Sequence, residues 1–93
     1  MQSTRLIKLL EFLESDPNDP FVLYALATEY NSSNDTEKAL EYYLKLINDH
    51  PDYVGTYYHL GKLYQKLEQT DTALEIYQKG MLAARAKRDM HAF

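Results

Sequence analysis

The sequence predicts an all-α fold built from a repeated pair of helices, and three observations carry this prediction. The 93-residue chain matches itself when it is shifted by 34 residues, which indicates a repeating structural unit. Apolar residues recur at helical spacing, and no segment alternates at period two over a useful length. The chain has only three glycines and three prolines, so most of it is expected to lie within regular elements.

The 34-residue repeat consists of identities at the apolar and small positions of a helical pattern, with a few charged positions beside them. Pro17 and Pro51 also lie one period apart. The matching pairs are Tyr24 and Tyr58, Leu26 and Leu60, Tyr30 and Tyr64, Thr36 and Thr70, Ala39 and Ala73, Leu40 and Leu74, Glu41 and Glu75, Tyr43 and Tyr77, and Lys45 and Lys79. Chance identities would rarely fall so consistently on such positions, so we interpret the period as structural.

The first two helices are bounded by capping and proline signals. The first helix has an apolar stripe at spacing i, i+3, i+4, i+7 and is expected to end near Ser15, because residues that precede Pro17 avoid helical dihedrals. This stripe consists of Leu6, Leu9, Leu10 and Leu13. Asp19 is a natural N-cap with Pro20 at the first helical position, which predicts a second helix to about Ser32.

The third and fourth helices follow polar turns. Asp35 or Thr36 is expected to cap a third helix that ends near Asn48. Asp52, next to a proline break, is expected to cap a fourth helix that extends to about Leu67.

The fifth helix is expected to start near Thr70 and to extend at least to Arg85. Residues 83–87 are strong helix formers, so the helix is predicted to continue beyond the repeat. Residues 90–93 either fold back as a partial cap or fray, and the sequence does not decide between these two outcomes.

The repeated residues resemble the tetratricopeptide repeat, whose signature is W-x2-L-G-x2-Y, then A-x3-F, then P. The first copy reads Leu23-x2-Leu26-Ala27-x2-Tyr30, Ala39-x3-Tyr43, Pro51, and the second reads Tyr57-x2-Leu60-Gly61-x2-Tyr64, Ala73-x3-Tyr77. The resemblance covers roughly residues 20–85 and implies a right-handed α-α superhelix of about two and a half helix-turn-helix repeats. The single domain then divides into a degenerate half repeat (4–17), repeat 1 (20–53), repeat 2 (54–87) and a C-terminal tail (88–93).

The signature positions have a physical reason. Ala27 and Gly61 on the first helices, and Ala39 and Ala73 on the second, are small enough to let antiparallel helices approach closely. Repeat 1 departs from this preference at one position, where it has Leu46. Two further differences distinguish the second repeat, which has Gly80 in the position of Leu46 and Arg85 in the position of Pro51.

Composition excludes several classes of function. The chain has 10 basic and 14 acidic residues, a net charge of −4, whereas nucleic-acid binding needs a basic face. The absence of cysteine excludes disulfides, thiolate zinc sites and a cysteine nucleophile. The apolar segment 6–13 is interrupted by charges and is too short for a membrane span or an export signal, so we expect a cytoplasmic protein that does not associate with membranes.

The sequence contains no arrangement of residues typical of an enzyme. His50, His59 and His91 lack metal-ligand spacing, the carboxylate pairs lie on exposed faces, and the glycines form no phosphate loop. We therefore predict no catalytic residue, metal or cofactor; a metal or cofactor at His50 or His59 would reverse this expectation.

The resemblance implies a binding surface, because the first helix of each tetratricopeptide repeat lines a concave groove that holds an extended peptide or a partner helix. Side chains that share the corresponding helix faces are Phe21, Tyr24, Thr28 and Asn31 in repeat 1 and Gly55, Tyr58, Lys62 and Gln65 in repeat 2. In the alternative interpretation, Tyr24 and Tyr58 only cover neighbouring helices. Family members that clamp a terminal carboxylate use several Lys, Asn and Arg residues; here only Lys62 offers a cation, so that specificity is not carried over.

Two functions follow from these observations. The first is a non-catalytic protein–protein interaction module that binds a peptide or helix of an unidentified partner. The alternative is a structural, self-associating repeat protein, because repeats bury their faces only against neighbours. In that case a homodimer or an end-to-end stack is expected, with the first helix (6–13) or the last helix, near Ile76 and Met81, at the contact.

Overall fold

The computed structural model describes residues 3–91, which form five α-helices and contain no strand. In chain order the helices are α1 (Thr4–Ser15), α2 (Pro20–Ser32), α3 (Thr36–Asp49), α4 (Gly55–Lys66) and α5 (Thr70–His91). The prediction of an all-α helical repeat protein is therefore confirmed. The last helix continues beyond the repeat as expected, while Ala92 and Phe93, at the end of the predicted tail, lie outside the described residues.

The chain divides into two compact units, residues 1–50 and 51–93. The first unit contains α1, α2 and α3, with α2 packed against both α1 and α3. The second unit is the pair α4 and α5, packed against each other. Within each unit, large apolar side chains fill the space between the helices, and the most completely buried are Leu23, Leu26, Tyr43 and Leu46 in the first and Leu60 in the second.

Two helices begin where their capping residues predict. The Asp19 side chain accepts a hydrogen bond from the Phe21 amide at 2.9 Å, and Pro20 occupies the first position of α2. The Asp35 side chain accepts one from the Lys38 amide at 3.3 Å at the start of α3. Each carboxylate satisfies an amide that has no partner within the first turn of its helix.

The expectation that Asp52 caps α4 is wrong. The N-cap is Val54, whose backbone is already helical and whose side chain cannot accept a hydrogen bond. A tight turn precedes the helix, in which the Thr56 and Tyr57 amides donate to the carbonyls of Tyr53 and Val54, both at 3.2 Å. These backbone acceptors satisfy amides of the first turn, and Asp52 is left outside the helix.

The two repeats use the same turn between their helices. Asn34 and Glu68, 34 residues apart, have left-handed backbones with φ of 63° and 62°. In both turns the amide of the next residue donates to a tyrosine carbonyl five residues earlier, Tyr30 or Tyr64, at 2.9 Å. This bond closes the end of the first helix in the manner of a Schellman motif, which requires a left-handed residue.

We expect the Glu68→Asn variant to be more stable than the parent chain by about 1 kcal/mol, because asparagine tolerates the left-handed conformation better than glutamate does. Urea unfolding followed by circular dichroism measures the difference. Glu68→Ala is the control, since it removes the carboxylate but keeps the strained backbone. An equal gain in both variants would attribute the effect to charge and contradict this prediction.

Small residues lie where the helices of each pair are in closest contact. Ala39 on α3 and Ala73 on α5 are buried, as the repeat register predicts. A Cβ atom added to Gly61 would lie 2.5 Å from the Tyr77 ring, so α4 approaches α5 through a position that has room for hydrogen only. The small positions therefore set the distance between the paired helices.

No helix within the described range is long and apolar enough to cross a membrane. The cytoplasmic location stays a prediction from the sequence.

Candidate functional site

The first helix of repeat 1 presents the side chains that the sequence predicted for it on one side of α2. We call Phe21, Tyr24, Thr28 and Asn31 the α2 face. Phe21, in the first turn, is 65% exposed, whereas the other three side chains are half-buried. An exposed phenylalanine offers a partner a large apolar contact area at low rotamer cost.

Tyr24 also belongs to the packing of its own unit. It lies close enough to Tyr43 on α3 for the two hydroxyls to interact electrostatically. Burial first, and the neighbouring Tyr24 second, raise the pKa of Tyr43 to about 12. Tyr24 therefore serves the contact between α2 and α3 as well as the α2 face.

The raised pKa of Tyr43 predicts a loss of stability in alkali. Between pH 10 and about 12 the unfolded chain releases the Tyr43 proton while the folded chain keeps it. The unfolded state then binds fewer protons, so the free energy of unfolding falls as the pH rises through this range. We expect urea unfolding at pH 8 to 11.5 to show a smaller fall for Tyr43→Phe than for the parent chain. Parallel curves for the two proteins would contradict the assignment.

The polar groups of the α2 face are partly used within the helix. The Thr28 hydroxyl donates a hydrogen bond to the Ala25 carbonyl at 3.0 Å. Asn31 is half-buried at the last turn of α2. The open part of this face is therefore the apolar surface around Phe21.

The first helix of repeat 2 presents Tyr58, Lys62 and Gln65, which we call the α4 face. Tyr58 is 56% exposed, and the Lys62 Nζ atom lies 5.4 Å from the centroid of its ring. The His59 ring packs edge-on against Tyr58, with centroids 5.4 Å apart. Lys62 holds the Tyr58 ring in place through a cation–π contact and adds positive charge to an aromatic surface.

His59 contributes an uncharged ring to this neighbourhood. Burial first, and the positive charge of Lys62 second, lower the pKa of His59. The imidazole is therefore neutral at neutral pH. The sequence indicated only a surface or turn histidine here and did not predict its contact with Tyr58.

Gln65 and Lys62 differ in how much of their polar capacity remains for a partner. The Gln65 Oε1 atom accepts a hydrogen bond from the Tyr77 hydroxyl at 2.7 Å, which ties α4 to α5. Among the side chains that the structure describes, no carboxylate forms an ion pair with Lys62. The α4 face thus offers an exposed aromatic ring and a cation.

The helix pair α4 and α5 also forms an apolar pocket that the sequence did not predict. It has a volume of about 330 Å³. The lining residues are Val54, Tyr57, Tyr58, Tyr77, Gly80, Met81 and Ala84. The signal for it in the sequence was Gly80, which stands where repeat 1 has Leu46 and leaves the space of a large side chain unfilled.

The predicted histidine candidates do not form a metal site. The His50 Nε2 atom lies 2.8 Å from the Asn18 carbonyl, which joins the end of α3 to the loop before α2. Across the described part of the chain, no three His, Asp or Glu side chains are placed to hold a metal ion. The exposed chemistry of the two faces consists of aromatic rings and one cation.

Helix pairs with these small contact positions and exposed aromatic faces define a helical repeat protein of the protein-interaction class. Tetratricopeptide repeat models match residues 8–41 and 54–87, and a TPR repeat model matches residues 27–68. The chain belongs to the tetratricopeptide repeat family, whose members generally serve as non-catalytic protein-interaction folds.

Solved structures and a relative of known name agree with this assignment. The solution structure of a tetratricopeptide repeat domain protein from Salinibacter ruber is 49% identical, with 76% of this chain and 72% of that one covered and a TM-score of 0.73. The crystal structure of MamA shares the fold, with a TM-score of 0.85 at 23% identity over 90% of this chain and 49% of that one. Photosystem I assembly protein Ycf3 of Acaryochloris marina is 36% identical over 69% of this chain, which spans 40% of that protein's length.

Proposed function

We propose that this chain is a non-catalytic protein-interaction module whose α2 face and α4 face each contact a peptide or helix of a partner protein. One observation carries the proposal: the first helix of each repeat leaves an aromatic side chain more than half exposed, Phe21 at 65% and Tyr58 at 56%. Exposed aromatic rings cost free energy in water and are enriched at protein interfaces. The name of the Ycf3 relative, an assembly protein, also fits a role in contacting other proteins.

The charges on these faces indicate what kind of peptide fits. Lys62 is the cation at the α4 face and lies over the Tyr58 ring. A peptide with apolar side chains for Phe21 and Tyr58 and a carboxylate for Lys62 would use all three groups. Partner specificity then depends on ring contact first, and on a single ion pair at the rim second.

The proposal is tested by removing both exposed rings. We expect Phe21→Ala/Tyr58→Ala to reduce the recovery of partner proteins from a cell lysate by about tenfold or more, the effect of losing interface anchors. Both side chains lie at the surface, so the helical circular dichroism spectrum should not change.

The matched control removes exposed apolar side chains that lie outside the two faces. Phe12→Ala/Leu44→Ala deletes residues that are 59% and 44% exposed on α1 and α3. This variant should recover partners as the parent chain does. Equal recovery by the Phe21→Ala/Tyr58→Ala variant and this control would overturn the proposal.

A further inference from the structure

An apolar stripe with a basic end runs along the exposed side of α5. We define the α5 stripe as Leu74, Tyr77, Met81, Ala84, Arg85 and Arg88, which share one side of the helix by their spacing. Leu74 is 55% exposed and Met81 66% exposed. The pocket between α4 and α5 opens beside Met81, and a second one of about 310 Å³ continues from Met81 to Arg88. The stripe therefore offers a partner an apolar cavity followed by two cations.

The first helix has a complementary stripe. Ile7, Leu10, Glu11 and Glu14, the α1 stripe, follow the spacing i, i+3, i+4, i+7 and so lie on one side of α1. Ile7 is 46% exposed, Leu10 is half-buried and both glutamates are exposed. The buried Leu6 and Leu9 face the packed side of α1. This stripe is apolar at its N-terminal end and acidic at its C-terminal end.

The two units also differ in net charge. Residues 1–50 contain four Lys and Arg and nine Asp and Glu, a net charge of −5. Residues 51–93 contain six basic and five acidic residues, a net charge of +1. The first unit of one copy is therefore attracted to the second unit of another, which steers association between unlike ends.

We propose that the α5 stripe binds the α1 stripe of a second copy of this chain, with the two helices parallel. Ile7 and Glu14 are separated by seven residues, as are Met81 and Arg88, about 10 Å along each helix. In a parallel arrangement the apolar part of α1 covers the pocket, and the acidic end of α1 lies over the two arginines. Leu10 and Glu14, four residues apart, match Met81 and Arg85 in the same way.

The charges favour this head-to-tail contact over a symmetric one. A two-fold contact between α5 stripes would bring Arg85 and Arg88 against the same residues of the partner copy. A two-fold contact between α1 stripes would likewise place Glu11 and Glu14 together. Like charges in an interface are unfavourable, so the unlike stripes pair.

This inference goes beyond the proposed function, because it uses side chains outside the α2 and α4 faces. Partner capture by the faces and association through the stripes are measured separately. Loss of one leaves the other intact, so failure of either proposal is distinguishable from failure of the other.

The first experiment is sedimentation equilibrium of the whole chain over about 10 to 500 μM, the range in which small interfaces associate. We expect concentration-dependent association that weakens in 0.5 M NaCl, since salt screens the ion pairs by reducing the Debye length to about 4 Å. A monomer at every concentration would overturn the proposal and would leave the stripe to a different protein or to a further repeat.

A charge exchange tests which stripes meet. Arg85→Glu/Arg88→Glu and Glu11→Arg/Glu14→Arg should each weaken association by at least about tenfold, because each variant places like charges together. A mixture of the two variants restores unlike charges at both ends and should associate as the parent chain does. Failure of the mixture to recover, with both variants helical, would overturn the proposed pairing.

A third variant tests the apolar half and does not depend on the charged residues. Met81→Asp places a carboxylate at an exposed position of the pocket and should abolish association. Leu82→Asp is the matched control, because Leu82 is equally exposed at 66% but lies outside the stripe. Equal loss in both variants, or in neither, would overturn the assignment of the α5 stripe.

Discussion

Replacing Leu46 by alanine is expected to lower the free energy of unfolding by about 2–5 kcal/mol, the cost of removing a large side chain from a packed core. Leu46 is fully buried on α3. The loss combines the transfer of apolar surface with the cavity that the smaller residue leaves. Domains of this size have only about 5–15 kcal/mol of stability, so the variant should unfold at a markedly lower urea concentration.

Leu44, two residues earlier on the same helix, provides the control. Its side chain is 44% exposed, and Leu44→Ala should change the free energy of unfolding by less than about 0.5 kcal/mol. Circular dichroism during urea unfolding measures both variants under identical conditions. Similar losses for the two substitutions would mean that α3 does not bury the side that the repeat register assigns to it.

Replacing Gly80 by alanine is expected to destabilise the pair formed by α4 and α5 by about 2 kcal/mol. A Cβ atom at this position would lie 2.6 Å from the Cβ atom of Tyr57, and rotation of a side chain cannot move either atom. The helices must separate, which costs about 3 kcal/mol at the upper end of overpacking. Alanine returns about 1 kcal/mol through its higher helix propensity.

Gly55 is the matched glycine for this experiment, because a Cβ atom there would meet nothing within 4 Å. We expect Gly55→Ala to be neutral or slightly stabilising in the same thermal unfolding assay. If Gly80→Ala were as stable as Gly55→Ala, the close approach of α4 and α5 would be excluded.

Local patterns predicted the helices well because the signals for them lie within a few residues. Asp19 and Asp35 cap the helices that follow them, and the 34-residue register placed Ala39 and Ala73 in buried positions. Asp52 failed as a cap because backbone carbonyls within the preceding turn satisfy amides of the first turn of α4. Sequence alone does not show which of two local acceptors an amide will use.

The properties of the candidate faces depended on contacts between helices, which periodicity does not specify. Helical spacing placed Tyr58 and Gln65 on one side of α4. It did not indicate that Gln65 accepts a hydrogen bond from Tyr77 on α5 while Tyr58 stays exposed. The pocket beside Gly80 was missed for the same reason, since its walls come from two helices and its space from a side chain that is absent.

The most direct test of the interaction role is to map the contact on the chain itself. Partner peptide recovered with the parent chain is added to isotopically labelled protein, and amide chemical shifts are followed by NMR. We predict shift changes concentrated in residues 21–31 of α2 and 58–65 of α4. Changes confined to α3, with α2 and α4 unaffected, would contradict the proposed role of these two faces.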